Sequence, residues 1–209
     1  MESFIKILLF FHIAAGTISL ISGLIAIVLR NRVKLHRPVG KIYFWAMTVV
    51  FVTAVVVSTA HENIFLFCVA FFTYYACLTA YRSLRLKKLH LDQQPLILDW
   101  AIEVFFGLMN VAFVLFAFFL LTGENKSFGT ISLVFGIFGL RGNYFTIQRL
   151  RKKLVYRNYW LLAHIGGMMG SYIGAITAFV VNNSARIPLP SVLLWLGPTV
   201  FLVRGVILK

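Results

Sequence analysis

Seven long apolar segments, separated by short polar links, constrain what this chain can fold into. A helix needs about 20 consecutive apolar residues to cross the hydrocarbon core of a bilayer. Of the residues, 60% are hydrophobic and only 12% are charged, whereas soluble domains are about half apolar and about a quarter charged. The pattern predicts an all-α integral membrane protein, a single domain over residues 1–209 that forms a seven-transmembrane-helix bundle. The predicted membrane spans are 4–29, 42–60, 63–81, 97–122, 128–147, 159–181 and 189–207.

Basic residues lie mainly in every second link, which predicts the orientation of the bundle. Three alternate links carry Arg30, Arg32, Lys34, Arg37 and Lys41, then Arg82, Arg85, Lys87 and Lys88, then Arg149, Arg151, Lys152, Lys153 and Arg157. The opposite links hold only Glu62, then Glu124 and Lys126, then Arg186. Short loops rich in Lys and Arg stay cytoplasmic. We therefore expect the N-terminus outside and the C-terminus on the cytoplasmic side.

The net charge of +14 follows from these loops. Basic loops beside anionic lipid head groups are typical of membrane proteins, and the sequence carries no nucleic-acid-binding motif. We interpret the lipid bilayer as the binding partner of this positive charge and expect no nucleic-acid partner. The first apolar segment runs far beyond a typical signal-peptide core, so we interpret it as a retained helix.

Small residues predict how the helices pack. Gly166, Gly170 and Gly174 form overlapping GxxxG steps in the sixth segment, and Gly16, Ser19 and Gly23 form a similar stripe in the first. Such faces let helix backbones approach closely in lipid. Cys68 and Cys77 lie nine positions apart in one segment, without metal-site spacing, and we expect both to be buried small side chains.

Ionisable residues within the predicted spans are the strongest indication of a functional site, because each costs about 2.5–3.5 kcal/mol on insertion scales. Asp99 and Glu103 are four residues apart, which places them on one helix face about 6 Å apart along the axis. Asp99 also fits a solvated residue at the start of a helix. Arg141 lies at a similar predicted depth, and an ion pair between Glu103 and Arg141 would explain both without catalysis.

The histidines fall into two predicted layers. His164 belongs by depth with Glu103 and Arg141, and His36 of the first basic link could fold beneath them. His12 and His61 lie toward the outer side, where they could share a second site. Histidine and carboxylate together suit a proton relay, a divalent metal site or acid–base chemistry, and two histidine layers also suit haem. The spacing matches no standard metal motif, and a hydrogen-bonded His164 without a ligand is an equal alternative. His90, in a basic loop, is interpreted as solvated.

A family resemblance rests on stretches in matching order: FHIAAGTISLISG, KLHRPVGKIYFWAM, WLLAHIGGMMGSYIGAITAFVVNN and WLGPTVF. They resemble an uncharacterised family of bacterial membrane proteins (domain of unknown function 2306) and cover under half of the chain. The resemblance implies a multi-pass protein of the bacterial inner (plasma) membrane and no established activity. The implied signature positions are His12, His36, His164, Tyr172, Thr177 and Asn182. The chain departs from the family pattern at Arg204, in the last apolar segment.

Taken together, these residues predict a membrane protein that binds a small ligand, a divalent metal or haem in a polar pocket of the cytoplasmic half. The predicted lining is Asp99, Glu103, Arg141, His164 and His36, with Glu103 and His164 as the metal ligands if a metal is bound. An intramembrane metal-dependent hydrolase acting on lipid, a proton-coupled carrier and a structural protein without a ligand are the alternatives. The sequence does not decide whether the chain is an enzyme.

Overall fold

The computed structural model describes residues 2–91, 93–123, 126–153, 156–187 and 189–207. These residues form seven α-helices and one short 3₁₀ turn, Ser184–Arg186, and contain no β-strand. The helices are α1 Glu2–Val28, α2 Val33–Ala60, α3 Ile64–Ser83, α4 Ile97–Leu121, α5 Lys126–Leu150, α6 Tyr159–Asn182 and α7 Ser191–Ile207. Each predicted segment corresponds to one helix, while Glu124 of a predicted outer link lies outside the described residues.

Five of these helices, α1 to α4 and α6, are long and apolar enough to cross a membrane. The other two helices, α5 and α7, do not meet these criteria, and the reason is different for each. α5 contains polar residues in its second half, including Arg141, Asn143 and Gln148. α7 has 17 residues, which at about 1.5 Å per residue is shorter than a hydrocarbon core of about 30 Å. Both helices also contain an arginine within the predicted span, Arg141 in α5 and Arg204 in α7.

α2 begins earlier than predicted. We expected residues 30–41 to form a basic link, but the helix starts at Val33 and includes Pro38. Pro38 is the sixth residue of α2, so the helix lacks the backbone hydrogen bond that this position would donate to Lys34. His36 therefore lies on the first turns of a helix, and the connection to α1 is short.

α3 lies at the centre of the bundle. It packs against α2, α4, α5 and α6, and half of its most apolar stretch is buried, against 11% for α1. Aromatic rings fill the core around it: Phe51 stacks on Tyr74 at 4.4 Å between ring centroids, and Phe71 meets Phe106 and Phe113 edge-on. Elsewhere, large apolar side chains such as Phe10 and Phe119 face outward, as expected of helices in lipid.

Of the three glycines predicted to pack on α6, Gly166, Gly170 and Gly174, one touches another helix. Gly166 and Gly170 have no atom within 4 Å of the position that a Cβ would occupy. Gly167 instead meets Ala80 and the Ala76 carbonyl of α3, and Gly174 meets Thr73. The predicted GxxxG face is therefore wrong except at Gly174. On α1, Gly23 packs against Tyr172 as the predicted stripe required, whereas no atom lies within 4 Å of the position that a Cβ would occupy at Gly16.

Cys68 and Cys77 are free and fully buried, as predicted. The Cys68 thiol lies 3.8 Å from the Ser132 hydroxyl. Both cysteines are therefore core side chains of α3.

Candidate functional site

An ion pair joins the end of α3 to the start of α4. Arg82 Nε donates to Asp99 Oδ1 over 2.8 Å, and the backbone amide of Leu96 donates to Asp99 Oδ2, also over 2.8 Å. Asp99 is 4% exposed, so it is not the solvated residue that we had considered. A carboxylate in the first turn also suits the positive end of the helix dipole. Asp99 thus stabilises its own helix and fixes one edge of the Arg82 guanidinium.

Glu103 is buried one turn deeper, between α3 and α5. Its Oε2 accepts a hydrogen bond from the Tyr75 hydroxyl over 2.7 Å and another from Asn143 Nδ2 over 2.9 Å. Asn143 Oδ1 in turn accepts from Asn110 Nδ2 over 2.7 Å. Each of these four side chains is at most 6% exposed. A charged or polar group buried in this way needs such partners.

The predicted pairing of Glu103 with Arg141 is wrong. Arg141 is exposed, and its guanidinium carbon lies 5.0 Å from the centre of the Phe145 ring. Successive helix residues are about 100° apart, so Arg141 and Asn143 point to different sides of α5. Asn143, rather than Arg141, faces Glu103.

Glycines on α5 let this helix approach α4. A Cβ at Gly139 would overlap the Asn110 amide, and one at Gly136 would lie 3.0 Å from the Asn110 carbonyl oxygen. Gly139, Asn143 and Thr146 recur at intervals of four and three, which is one face of a helix. That spacing was the sequence signal that could have identified Asn143 as the partner of Glu103.

A cavity of about 50 Å³ lies beside these groups. Its polar lining comes from four helices: Thr79, Arg82 and Ser83 of α3, Asp99 and Glu103 of α4, Thr146 and Arg149 of α5, and Tyr159 of α6. We call it the basic-end pocket, because it lies where Arg-rich links join these helices. A volume of this size holds a few water molecules or one small polar group. Arg82, Arg149 and Tyr159 were not among the predicted site residues.

Two polar atoms of the pocket lining are buried without a hydrogen-bond partner among the described residues: Arg82 Nη2 and the Tyr159 hydroxyl. Tyr159 is 3% exposed. The Leu89 amide lies close to that hydroxyl but outside hydrogen-bonding geometry, and it already donates to Leu86. A buried unsatisfied polar group costs about 1–3 kcal/mol. Both atoms therefore favour a polar partner in the pocket.

His36 and His164 lie together, apart from Glu103. Their ring centroids are 6.2 Å apart and the rings are nearly perpendicular. His36 Nδ1 is 3.0 Å from the Ala26 carbonyl, and His164 Nδ1 is 3.2 Å from the Ala80 carbonyl. Neither histidine lines the basic-end pocket. The predicted layer therefore divides into a carboxylate pocket and a histidine pair.

The outer histidines do not form the predicted shared site. His12 Nδ1 lies 3.0 Å from the Thr53 hydroxyl on α2, whereas His61 is exposed at the end of that helix. Thr53 and His61 are eight positions apart, or about 12 Å along a helix. His90 is exposed, as expected. No group of three or more His, Cys, Asp and Glu side chains in the described ranges is placed to hold a metal ion.

Comparison with known proteins adds no relative to these observations. No protein-family model matches the chain, and neither a curated protein nor a solved structure matches it.

Proposed function

We propose that this chain is a multi-pass inner-membrane protein that binds a small ligand through an anionic group in the basic-end pocket. The observation that carries the proposal is the pair of buried, unpartnered donors, Arg82 Nη2 and the Tyr159 hydroxyl, in the lining of one cavity. A carboxylate or phosphate group accepts hydrogen bonds from both kinds of donor.

The charges of the lining support an anion. Asp99 is neutralised by Arg82, and Glu103 is hydrogen-bonded by neutral groups. Arg149 lines the same cavity and has no carboxylate within ion-pair distance among the described residues. The guanidinium of Arg82, held at Nε, offers Nη2 to a planar anionic group. With Glu103 protonated, Arg149 would leave the lining with a net positive charge, and Tyr159 would orient the ligand.

The proposed arrangement in the membrane has seven spans, with the N-terminus outside and the C-terminus cytoplasmic. It rests on the Lys and Arg residues of the alternate links and on the five helices that are long and apolar enough to cross a bilayer. α5, which packs on α4, and α7, which packs on α6, would be the two remaining membrane spans. The basic-end pocket would then open near the cytoplasmic surface. Membership of the domain-of-unknown-function-2306 family, and a bacterial source, belong to the same proposal.

The test is anion binding by the detergent-purified protein, measured as the rise in melting temperature with inorganic phosphate or acetate against chloride at equal ionic strength. We expect Arg149→Gln to weaken binding about 10- to 100-fold, the equivalent of one charge-assisted hydrogen bond. Arg151→Gln, an exposed arginine two residues away, is the matched control and should bind as the wild type does. Equal loss in both variants, or no response to either anion, would contradict the proposal.

A proton-coupled carrier is the second candidate, favoured by the hydrogen-bonded chain from Glu103 through Asn143 to Asn110. Such a chain extends from the basic-end pocket toward the middle of α4. Proton uptake by proteoliposomes that is abolished in Glu103→Gln would favour the carrier over a simple binding protein. No observation on the described residues favours the lipid hydrolase.

A further inference from the structure

His36 and His164 are held by the ends of two other helices. Ala26 lies in the last turn of α1 and Ala80 in the last turn of α3, where carbonyl groups lack an intrahelical backbone donor. The Ala80 carbonyl also accepts from the Ser83 hydroxyl over 2.7 Å. His36 Nδ1 contacts the first carbonyl and His164 Nδ1 the second. A carbonyl oxygen only accepts, so Nδ1 carries the proton in both rings. In the neutral imidazole, Nε2 then keeps its lone pair.

The two Nε2 atoms are the free nitrogens of this pair. Neither has a hydrogen-bond partner among the described residues. An imidazole whose Nδ1–H is held by a backbone carbonyl is the usual arrangement of a metal-binding histidine, because that hydrogen bond fixes both the tautomer and the ring orientation. Here the arrangement occurs twice, on α2 and on α6, with the two ring planes nearly perpendicular.

The separation of the rings suits one shared metal. Imidazole–metal bonds are about 2.0–2.1 Å long, and the ring centre lies roughly 1.1 Å beyond the nitrogen. Two ring centres around one ion are therefore about 6.3 Å apart if the nitrogen–metal–nitrogen angle is linear, and about 5 Å apart at the tetrahedral angle that Zn²⁺ prefers. The observed separation is 6.2 Å. The two rings would have to approach each other by about 1 Å to share a tetrahedral ion, a movement of the size that side-chain rotations supply.

We propose that His36 and His164 form a two-histidine site for a borderline-soft transition-metal cation, bound through both Nε2 atoms. Water would complete the coordination, since the described residues hold no third ligand in such a group. Lys87, whose charge acts on His164, lies 4.4 Å over the Trp160 ring. The charge of Lys87 opposes any cation, whereas two imidazole ligands without a carboxylate disfavour Mg²⁺ and Ca²⁺ relative to ions that imidazole binds directly, such as Zn²⁺.

This site is independent of the anion proposed for the basic-end pocket, and it would have a structural effect of its own. The metal would connect the start of α2 to the start of α6, near the ends of α1 and α3. Binding to the folded state alone raises thermal stability, so the site has a readout that needs no knowledge of the biological activity.

Asparagine substitutions separate the metal site from a purely structural role. The side-chain amide of asparagine can donate to the same carbonyl as Nδ1–H, but it has no group equivalent to Nε2. His36→Asn and His164→Asn should therefore retain the wild-type melting temperature without metal, and should bind Zn²⁺ more than ~10-fold more weakly. His90→Asn, at an exposed histidine, is the control.

The experiment uses detergent-purified full chain, stripped with chelator and titrated with Zn²⁺, with the metal content measured after gel filtration. We expect a stoichiometry of about one Zn²⁺ per wild-type chain and a rise in melting temperature that both asparagine variants lose. Wild-type affinity in either variant, or no Zn²⁺ retained by the wild type, would overturn the proposal. If a variant fails to fold, Co²⁺ bound to the wild type supplies the second measurement, since its absorption bands report nitrogen ligation. Arg149→Gln should leave Zn²⁺ binding unchanged, which distinguishes failure of this site from failure of the anion pocket.

Discussion

Asn143 and Arg141 are two residues apart on α5, and they illustrate how side-chain direction decides a role. Asn143 is 3% exposed and makes hydrogen bonds to both Glu103 and Asn110. Arg141 carries a full charge, yet it faces outward and rests against Phe145. At this scale the uncharged residue holds the buried carboxyl group, because it occupies the face that packs on α4.

The different surroundings of Asn143 and Arg141 predict different effects on the free energy of unfolding. Asn143→Ala should lower the free energy of unfolding by about 1–2 kcal/mol, because hydrogen bonds between membrane helices contribute about 0.6 kcal/mol on average and up to about 1.7. Arg141→Ala, which removes no hydrogen bond that the structure describes, should change it by less than about 0.5 kcal/mol. Reversible unfolding in mixed micelles would measure both values. A larger effect at Arg141 than at Asn143 would reverse this assignment.

At the scale of the elements, α6 approaches α3 along one narrow stripe. Gly167 and Gly174 lie against α3, and Ser171 between them is fully buried and hydrogen-bonded to Tyr43. Gly166 and Gly170, one position away from that stripe, contact nothing. The adjacent glycines Gly166 and Gly167 thus have opposite surroundings, although each has a small residue four positions later, Gly170 and Ser171.

Adjacent glycines permit a matched test of helix packing. A Cβ at Gly167 would lie 2.6 Å from Ala80 Cβ and 2.7 Å from the Ala76 carbonyl oxygen. Gly167→Ala should therefore destabilise the protein by about 1–3 kcal/mol, the usual cost of overpacking. Gly166→Ala, in open space, should be neutral or stabilising by up to about 1 kcal/mol through helix propensity. Melting temperatures in one detergent would compare the pair; equal destabilisation would show that the α3–α6 contact is placed incorrectly.

At the scale of the whole molecule, the ends of the helices differ in charge and in polar contacts. The pocket, the Arg82–Asp99 ion pair and the histidine pair all lie where α1 and α3 end and where α2, α4 and α6 begin. Aromatic and aliphatic side chains dominate the opposite half of α4, which includes Phe113 and Leu120. If the basic links are cytoplasmic, both proposed sites are accessible from that side.

The orientation can be tested with reporter fusions. Alkaline phosphatase inserted in the α2–α3 connection, after Glu62, should be active because that connection is expected to lie outside. The same enzyme inserted after Lys87, between α3 and α4, should be inactive, and green fluorescent protein there should fluoresce. Activities in the reverse order would invert the bundle and would place both proposed sites on the outer side.

The sequence by itself determined that the chain is helical and apolar enough for a membrane, because helix length and composition are local properties. It also indicated Asp99 and Glu103, because a carboxylate inside an apolar segment is conspicuous in one dimension. The residue at which α2 begins was less predictable, since the charges of residues 30–41 are compatible with either a loop or the first turns of a helix.

Only the tertiary structure decided which side chains contact Glu103 and His164. Glu103 is held by Tyr75 and Asn143 rather than Arg141, and His164 lies with His36 rather than with Glu103. Depth along a helix can be estimated by counting residues, but the rotation of each helix about its axis depends on packing against its neighbours. That rotation determines which of two residues only two positions apart enters a site, and it follows from the contacts of α3 with the helices around it.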